Sequence, residues 1–123
     1  MEKLQLEYTF KSSPSVLYSR LSTASGLSEW FADNVIVRGK FYTFVWDSTE
    51  QEAEMVVNRQ NDLVRFHWTD CSDDCYFEFR ISRDELTGEV ALVITDFVEE
   101  DEIDDAKDLW DSQIAELKHA LGS

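Results

Sequence analysis

The hydrophobic period changes once along this chain, and that change limits the fold more than any single motif. From residue 3 to about residue 97 the apolar residues recur every second position in short runs. From Ile103 onward they recur at helical spacing. At 100° per residue, Ile103, Trp110, Ile114, Leu117 and Leu121 project within about 60° of each other, and Ala106 widens the stripe. Asp105, Asp108, Glu116 and His119 fall on the opposite side. One amphipathic helix of about five turns is therefore expected. Acidic residues at its start (Glu99 to Glu102), Lys118 and His119 near its end, and Gly122 after it all suit the helix dipole and a C-terminal stop.

The earlier part reads as strands. Leu4, Leu6, Tyr8 and Phe10 share one face of a strand over 3–11. Ser13-Pro14 then opens a short helix, with Ser13 as cap and Pro14 at the first helical position. A second helix is expected over 23–32, where Leu27, Trp30 and Phe31 fall at helical spacing. Strands follow at 35–37, 41–46, 51–58, 63–69, 75–81 and 89–97. In the third of these, Ala53, Met55 and Val57 are expected to face inward. Short polar turns between the strands imply antiparallel neighbours. A long antiparallel sheet with one apolar face needs a cover, and the terminal helix is the only element long enough to provide it. Residues 1–123 are expected to form one α+β domain, a curved sheet of six to seven strands around a long C-terminal helix, with two short helices after the first strand.

Several stretches together resemble a known family. They are Ser13-Pro14 before Val16-Leu17-Tyr18, Leu27-Ser28-Glu29-Trp30-Phe31, Gly39-Lys40-Phe41, Leu63-Val64-Arg65-Phe66-His67-Trp68, and Trp110 to Leu117. Their order and spacing resemble the START-like, helix-grip superfamily, and within it the branch similar to the C-terminal domain of the heat-shock chaperone ATPase activator. The resemblance implies a cavity between sheet and long helix that suits apolar ligands. That activator carries a further N-terminal domain, for which 123 residues leave no room, so ATPase activation itself is not implied. The fold hosts carriers, cyclases and chaperone cofactors alike, so it does not name an activity.

Charge removes other classes. Eleven Lys and Arg stand against 26 Asp and Glu, a net charge of −15. No basic patch could gather counterion-release energy from nucleic acid, and an anionic membrane surface is disfavoured for the same reason. No apolar run reaches the ~20 residues that span a bilayer, and the N-terminus lacks a signal-peptide block. A cytoplasmic protein is expected, with Cys71 and Cys75 as free thiols. His67, Cys71 and Cys75 are evenly spaced, but a zinc site needs a fourth ligand, for which only Asp70, Asp73 or Asp74 could be named. A plain hairpin loop is the expectation, with no metal and no cofactor.

No phosphate loop, metalloprotease helix or nucleophile elbow is present in the sequence. A reaction would need an inward polar pair, and Asp96, His67, Tyr76 and Arg80 are the only candidates. Asp96 shares a face with Val90, Leu92 and Ile94. It could be an acid inside an apolar site with a raised pKa, but at the end of its strand it is expected to meet water, because carboxylates are rarely buried unpaired. No residue is assigned a catalytic role. The aromatic residues carry the functional reading: Trp30, Phe31, Phe44, Trp46, Phe66, Trp68, Phe77, Phe79 and Trp110, with Ile114 and Leu117, are the expected walls of a cavity for an apolar or lipid-like small molecule. A protein-interaction module, a chaperone accessory or a homodimer, is the alternative, and a cyclase- or hydrolase-type enzyme ranks last.

Overall fold

The computed structural model describes residues 1–71 and 75–122. Seven antiparallel strands form one sheet: β1 (Glu2–Phe10), β2 (Asn34–Arg38), β3 (Phe41–Trp46), β4 (Thr49–Arg59), β5 (Leu63–Trp68), β6 (Tyr76–Arg83) and β7 (Val90–Val98). Their spatial order is β1-β7-β6-β5-β4-β3-β2. Hairpins link β2 through β7 in sequence, and β1 closes the series by pairing with β7, Leu4 opposite Asp96 and Phe10 opposite Val90. Helices α1 (Pro14–Ser22) and α2 (Ala24–Leu27) carry the chain from β1, at one edge of the sheet, to β2 at the other. After a 3-10 turn at Glu100–Glu102, helix α3 (Ile103–Leu121) covers the apolar face of the sheet.

Local chemistry accounts for the boundaries. The Ser13 hydroxyl accepts from the Val16 amide, and Pro14 occupies the first turn of α1. Thr23 does the same for α2 by accepting from the Gly26 amide at 3.0 Å. Gly39, with φ at +61°, makes the tight turn between β2 and β3 that sets Arg38 against Phe41. Gly122 ends α3 in the left-handed conformation, its amide turned back to the last carbonyls. Trp110, Ile114 and Leu117 are the buried stripe of α3. Burying side chains of this size contributes about 1.5–3 kcal/mol each.

Three expectations need correction. Helix α2 stops at Leu27, five residues short of Ala32. Beyond it the amides of Trp30, Phe31 and Ala32 all turn onto the Leu27 carbonyl. The Trp30 indole also donates to the Arg20 carbonyl at 2.8 Å, which ties the segment back onto α1. Strand β4 holds a bulge between Met55 and Val57. The extra residue reverses the alternation, so Val57 pairs with Arg65 on the outer face, and Asn58, exposed at the rim of the other face, accepts from the Tyr18 hydroxyl. Cys71 and Cys75 are joined as a disulfide rather than free, their Cα atoms 5.7 Å apart, inside the range such a bond spans. Asp73 and Asp74, named above as ligands, lie outside the described residues. Among the described residues, no helix is long and apolar enough to cross a membrane.

The outer face of the sheet is polar but ordered. Glu78 is buried there, its Oε1 accepting from Arg65 Nε at 3.0 Å and Nη2 at 2.6 Å. The Arg65 guanidinium also lies 4.4 Å from the centre of the Tyr76 ring, an arrangement that uses both the fork and the flat face of arginine.

Candidate functional site

Phe31 is where the aromatic core converges. Its ring stacks on Phe77 with centroids 5.4 Å apart and on Trp110 at 5.9 Å. It meets Phe44 and Trp46 edge-on, at 5.0 and 5.5 Å. Four elements therefore meet at one ring: the segment after α2, the strands β3 and β6, and α3. Beneath it the packing is tight. Phe44, Phe66 and Phe79 are fully buried, and Phe66 stacks on Phe77 at 5.0 Å.

On one side of Phe31 the packing stops short and leaves an open cleft of about 440 Å³. That volume lies in the range of small-molecule sites, roughly 300–1,000 Å³. Phe31, Trp46, Trp68, Phe77 and Trp110 provide its aromatic wall. Gln51, Asp96, Val98, Glu102, Ala106, Leu109 and Gln113 complete the border. Leu109 stands at this border 60% exposed, an apolar side chain beside an apolar hollow. The cleft meets only the N-terminal half of α3. Ile114 and Leu117 lie further along, closed against the core with Phe44, Phe66 and Phe79. Trp30 is buried too and lines a shallower surface depression on the other side of Phe31.

Two tryptophans are fixed by their edges. Trp46 Nε1 donates to the Phe31 carbonyl at 2.7 Å, and Gln113 Nε2 donates to the same carbonyl at 3.0 Å. Trp110 Nε1 donates to Asp96 Oδ2 at 3.0 Å. With those N–H groups occupied, the indoles offer a ligand their ring surfaces alone.

Asp96 is half-buried rather than freely exposed at the end of β7 as expected. It turns inward with Ile94 and Leu92, sits opposite Leu4, and borders the cleft. What makes this tolerable is that the carboxylate is paired: besides the Trp110 contact, Oδ1 accepts from the Phe97 amide at 2.8 Å. Burial nonetheless raises its pKa above the ordinary value of 3.8, and the two hydrogen bonds offset part of that rise. A carboxyl whose folded pKa lies above its unfolded one stabilises the fold below the unfolded pKa and loses that contribution as pH rises through the folded pKa. Asp96→Asn removes the titration. The stability of the variant minus that of the native protein is therefore expected to climb as pH goes from 4 to 7. Urea unfolding at a series of pH values measures it, and a flat or falling difference contradicts the assignment. A constant offset from altered hydrogen bonding leaves that slope untouched.

The other polar candidates do not join Asp96. His67 pairs with Glu54 on one side and Tyr76 on the other, on the outer face. Arg80 shares that face, its Nε 3.9 Å from Glu78 Oε2. The sheet itself separates these three from Asp96.

The sequence and the backbone both have counterparts among known proteins. A profile of the START-like superfamily domain matches residues 1–123. The solution structure of BfR322 from Bacteroides fragilis is similar at 44% identity, covering 98% of this chain and 90% of that one, with a TM-score of 0.69. The Aha1 dimer from Colwellia psychrerythraea is 18% identical over 98% of this chain and 96% of that one, with a TM-score of 0.82. MLL2253 from Mesorhizobium loti is 14% identical over 98% and 97%, with a TM-score of 0.78. The latter two likenesses show the fold alone. No curated protein matches the sequence. A profile match that runs the whole length, on a curved antiparallel sheet covered by a C-terminal helix, settles the family: this chain belongs to the START-like superfamily.

Proposed function

We propose that the protein binds an apolar small molecule in the cleft between the sheet and the first half of α3. The observation that carries this reading is the aromatic wall of Phe31, Trp46, Trp68, Phe77 and Trp110 around an open volume of about 440 Å³. Transfer of apolar surface from water into it contributes about 25 cal/mol per Å². Ala106 supplies the test, because it borders the cleft from α3 and a larger side chain there would fill the hollow. N-Phenyl-1-naphthylamine, a neutral apolar probe, is expected to brighten on binding and to quench tryptophan emission. Ala106→Trp is expected to weaken that binding by at least about tenfold, or 1.4 kcal/mol. An absent signal, or one unchanged by Ala106→Trp in a protein with native circular dichroism, removes the proposal.

A protein-binding or self-associating role is the second reading. The edge strand β2 and the start of β3 leave Ile36, Val37 and Phe41 37–44% exposed, and an open sheet edge is a ready surface for another chain. Native mass spectrometry of protein purified from its own source reads bound small molecules and subunit number from one sample. No part of either reading requires catalysis.

A further inference from the structure

We infer that the cleft selects an apolar molecule bearing a cationic head, an amine or ammonium group. This rests on the binding role proposed above and specifies its ligand class. Two ionisable side chains border the cleft, Asp96 and Glu102, and both are acids. No Lys, Arg or His is found among its described lining residues. A fatty acid or phosphate ester would place a second anion beside Asp96 with no counter-charge, which is the arrangement that excludes a ligand.

The rest of the lining suits a cation. Trp46, Trp68 and Trp110 are the ring type whose face attracts ammonium groups most strongly. The N–H edges of Trp46 and Trp110 are already spent on Phe31 and Asp96, so these two indoles cannot donate to an anion. Asp96 keeps acceptor capacity. A carboxylate offers about four lone-pair sites, and the protein uses one on each oxygen. Burial without a counter-charge makes the ionised carboxylate costly despite its two hydrogen bonds, as its raised pKa reflects. A ligand cation would relieve that cost, and a neutral ligand would not. The net charge of −15 adds a general attraction for cations, so any test must separate the cleft from the surface as a whole.

Three probes with one tail and different heads do so: octylammonium, octanol and octanoate, each displacing N-phenyl-1-naphthylamine at about 0.15 M salt, where the Debye length is about 8 Å. Octylammonium is expected to bind at least about tenfold (1.4 kcal/mol) more tightly than octanol, with octanoate weakest. In Asp96→Asn the ratio of amine to alcohol affinity is expected to fall to about threefold or less. In Glu85→Gln, which loses the same charge at an exposed turn away from the cleft, the ratio is expected to stay. Displacement by octanol with equal or weaker displacement by octylammonium overturns the cationic preference and leaves the apolar site standing. A preference that survives Asp96→Asn overturns it too, since the attraction would then belong to the whole acidic surface. Failure of all three, and of the naphthylamine itself, takes both readings down together.

Discussion

Phe31→Ala is expected to lower the free energy of unfolding by about 3–5 kcal/mol, the usual range for deleting a buried aromatic ring. Few single changes in this molecule should cost more. The ring is 5% exposed and stands against Phe44, Trp46, Phe77 and Trp110 at once. Its loss uncouples α3 from the strands, and such aromatic pairs add about 0.5–1.5 kcal/mol beyond area burial. The backbone carbonyl of residue 31, which Trp46 and Gln113 share, survives the substitution. The cost should therefore be one of packing, and Phe31→Leu should recover a large part of it. Urea unfolding followed by tryptophan fluorescence measures both variants. A loss below about 1 kcal/mol for alanine would mean that the cleft can collapse onto the gap.

Gly26→Ala is expected to destabilise by about 3 kcal/mol, the upper end for forcing atoms into a packed site. Helix propensity alone gives the opposite sign, a gain of about 1 kcal/mol for replacing glycine by alanine. Geometry decides between them. A Cβ on Gly26 would lie 2.3 Å from the Ser19 carbonyl oxygen and 2.6 Å from the Arg20 Cα. Both belong to the α1 backbone and cannot swing aside as a side-chain tip could. Relief would require α2 to lift from α1, which would pull on the Trp30 to Arg20 hydrogen bond. Thermal and urea unfolding of the variant check it, and a stabilised Gly26→Ala protein would show that the two helices do not pack as closely as described.

The sequence was most informative where one period ran without interruption. The face of β1, the stripe of α3 and the cap at Ser13 could all be read from residue spacing, because each depends on neighbours in the chain. The bulge in β4 could not. No glycine or proline marks it, and it arises from matching β4 to β5 across the sheet. The early end of α2 was hidden for a similar reason, since Trp30 and Phe31 keep helical spacing while the core draws them out of the helix. The cleft was legible in part. Aromatic excess pointed to a wall but could not separate Phe31 and Trp110, at the open side, from Phe44 and Phe79 in the sealed interior. On α3, Ala106, Leu109 and Gln113 all project within about 60° of one another beside the apolar stripe, and Glu102 in the preceding 3-10 turn borders the cleft with them. Ala106 and Leu109 were the available signal for that flank. Asp96 was misjudged because its partner, the Trp110 indole, lies in another element.

The strand order has a consequence for how the chain is made. Among the described residues β1 pairs in the sheet with β7 alone, and residues 2–10 meet residues 90–98 there. Strand β1 must therefore wait for β7 before it can take its place in the sheet. Until then Leu4, Leu6, Tyr8 and Phe10 have no sheet to lie on. The hairpins from β2 to β7 need only adjacent sequence and can assemble as they emerge. Pairings that span most of a chain are the slow ones, so β1 is expected to join a β2–β7 meander that has already formed, and α3, which follows β7 in the chain, to close over the face they share.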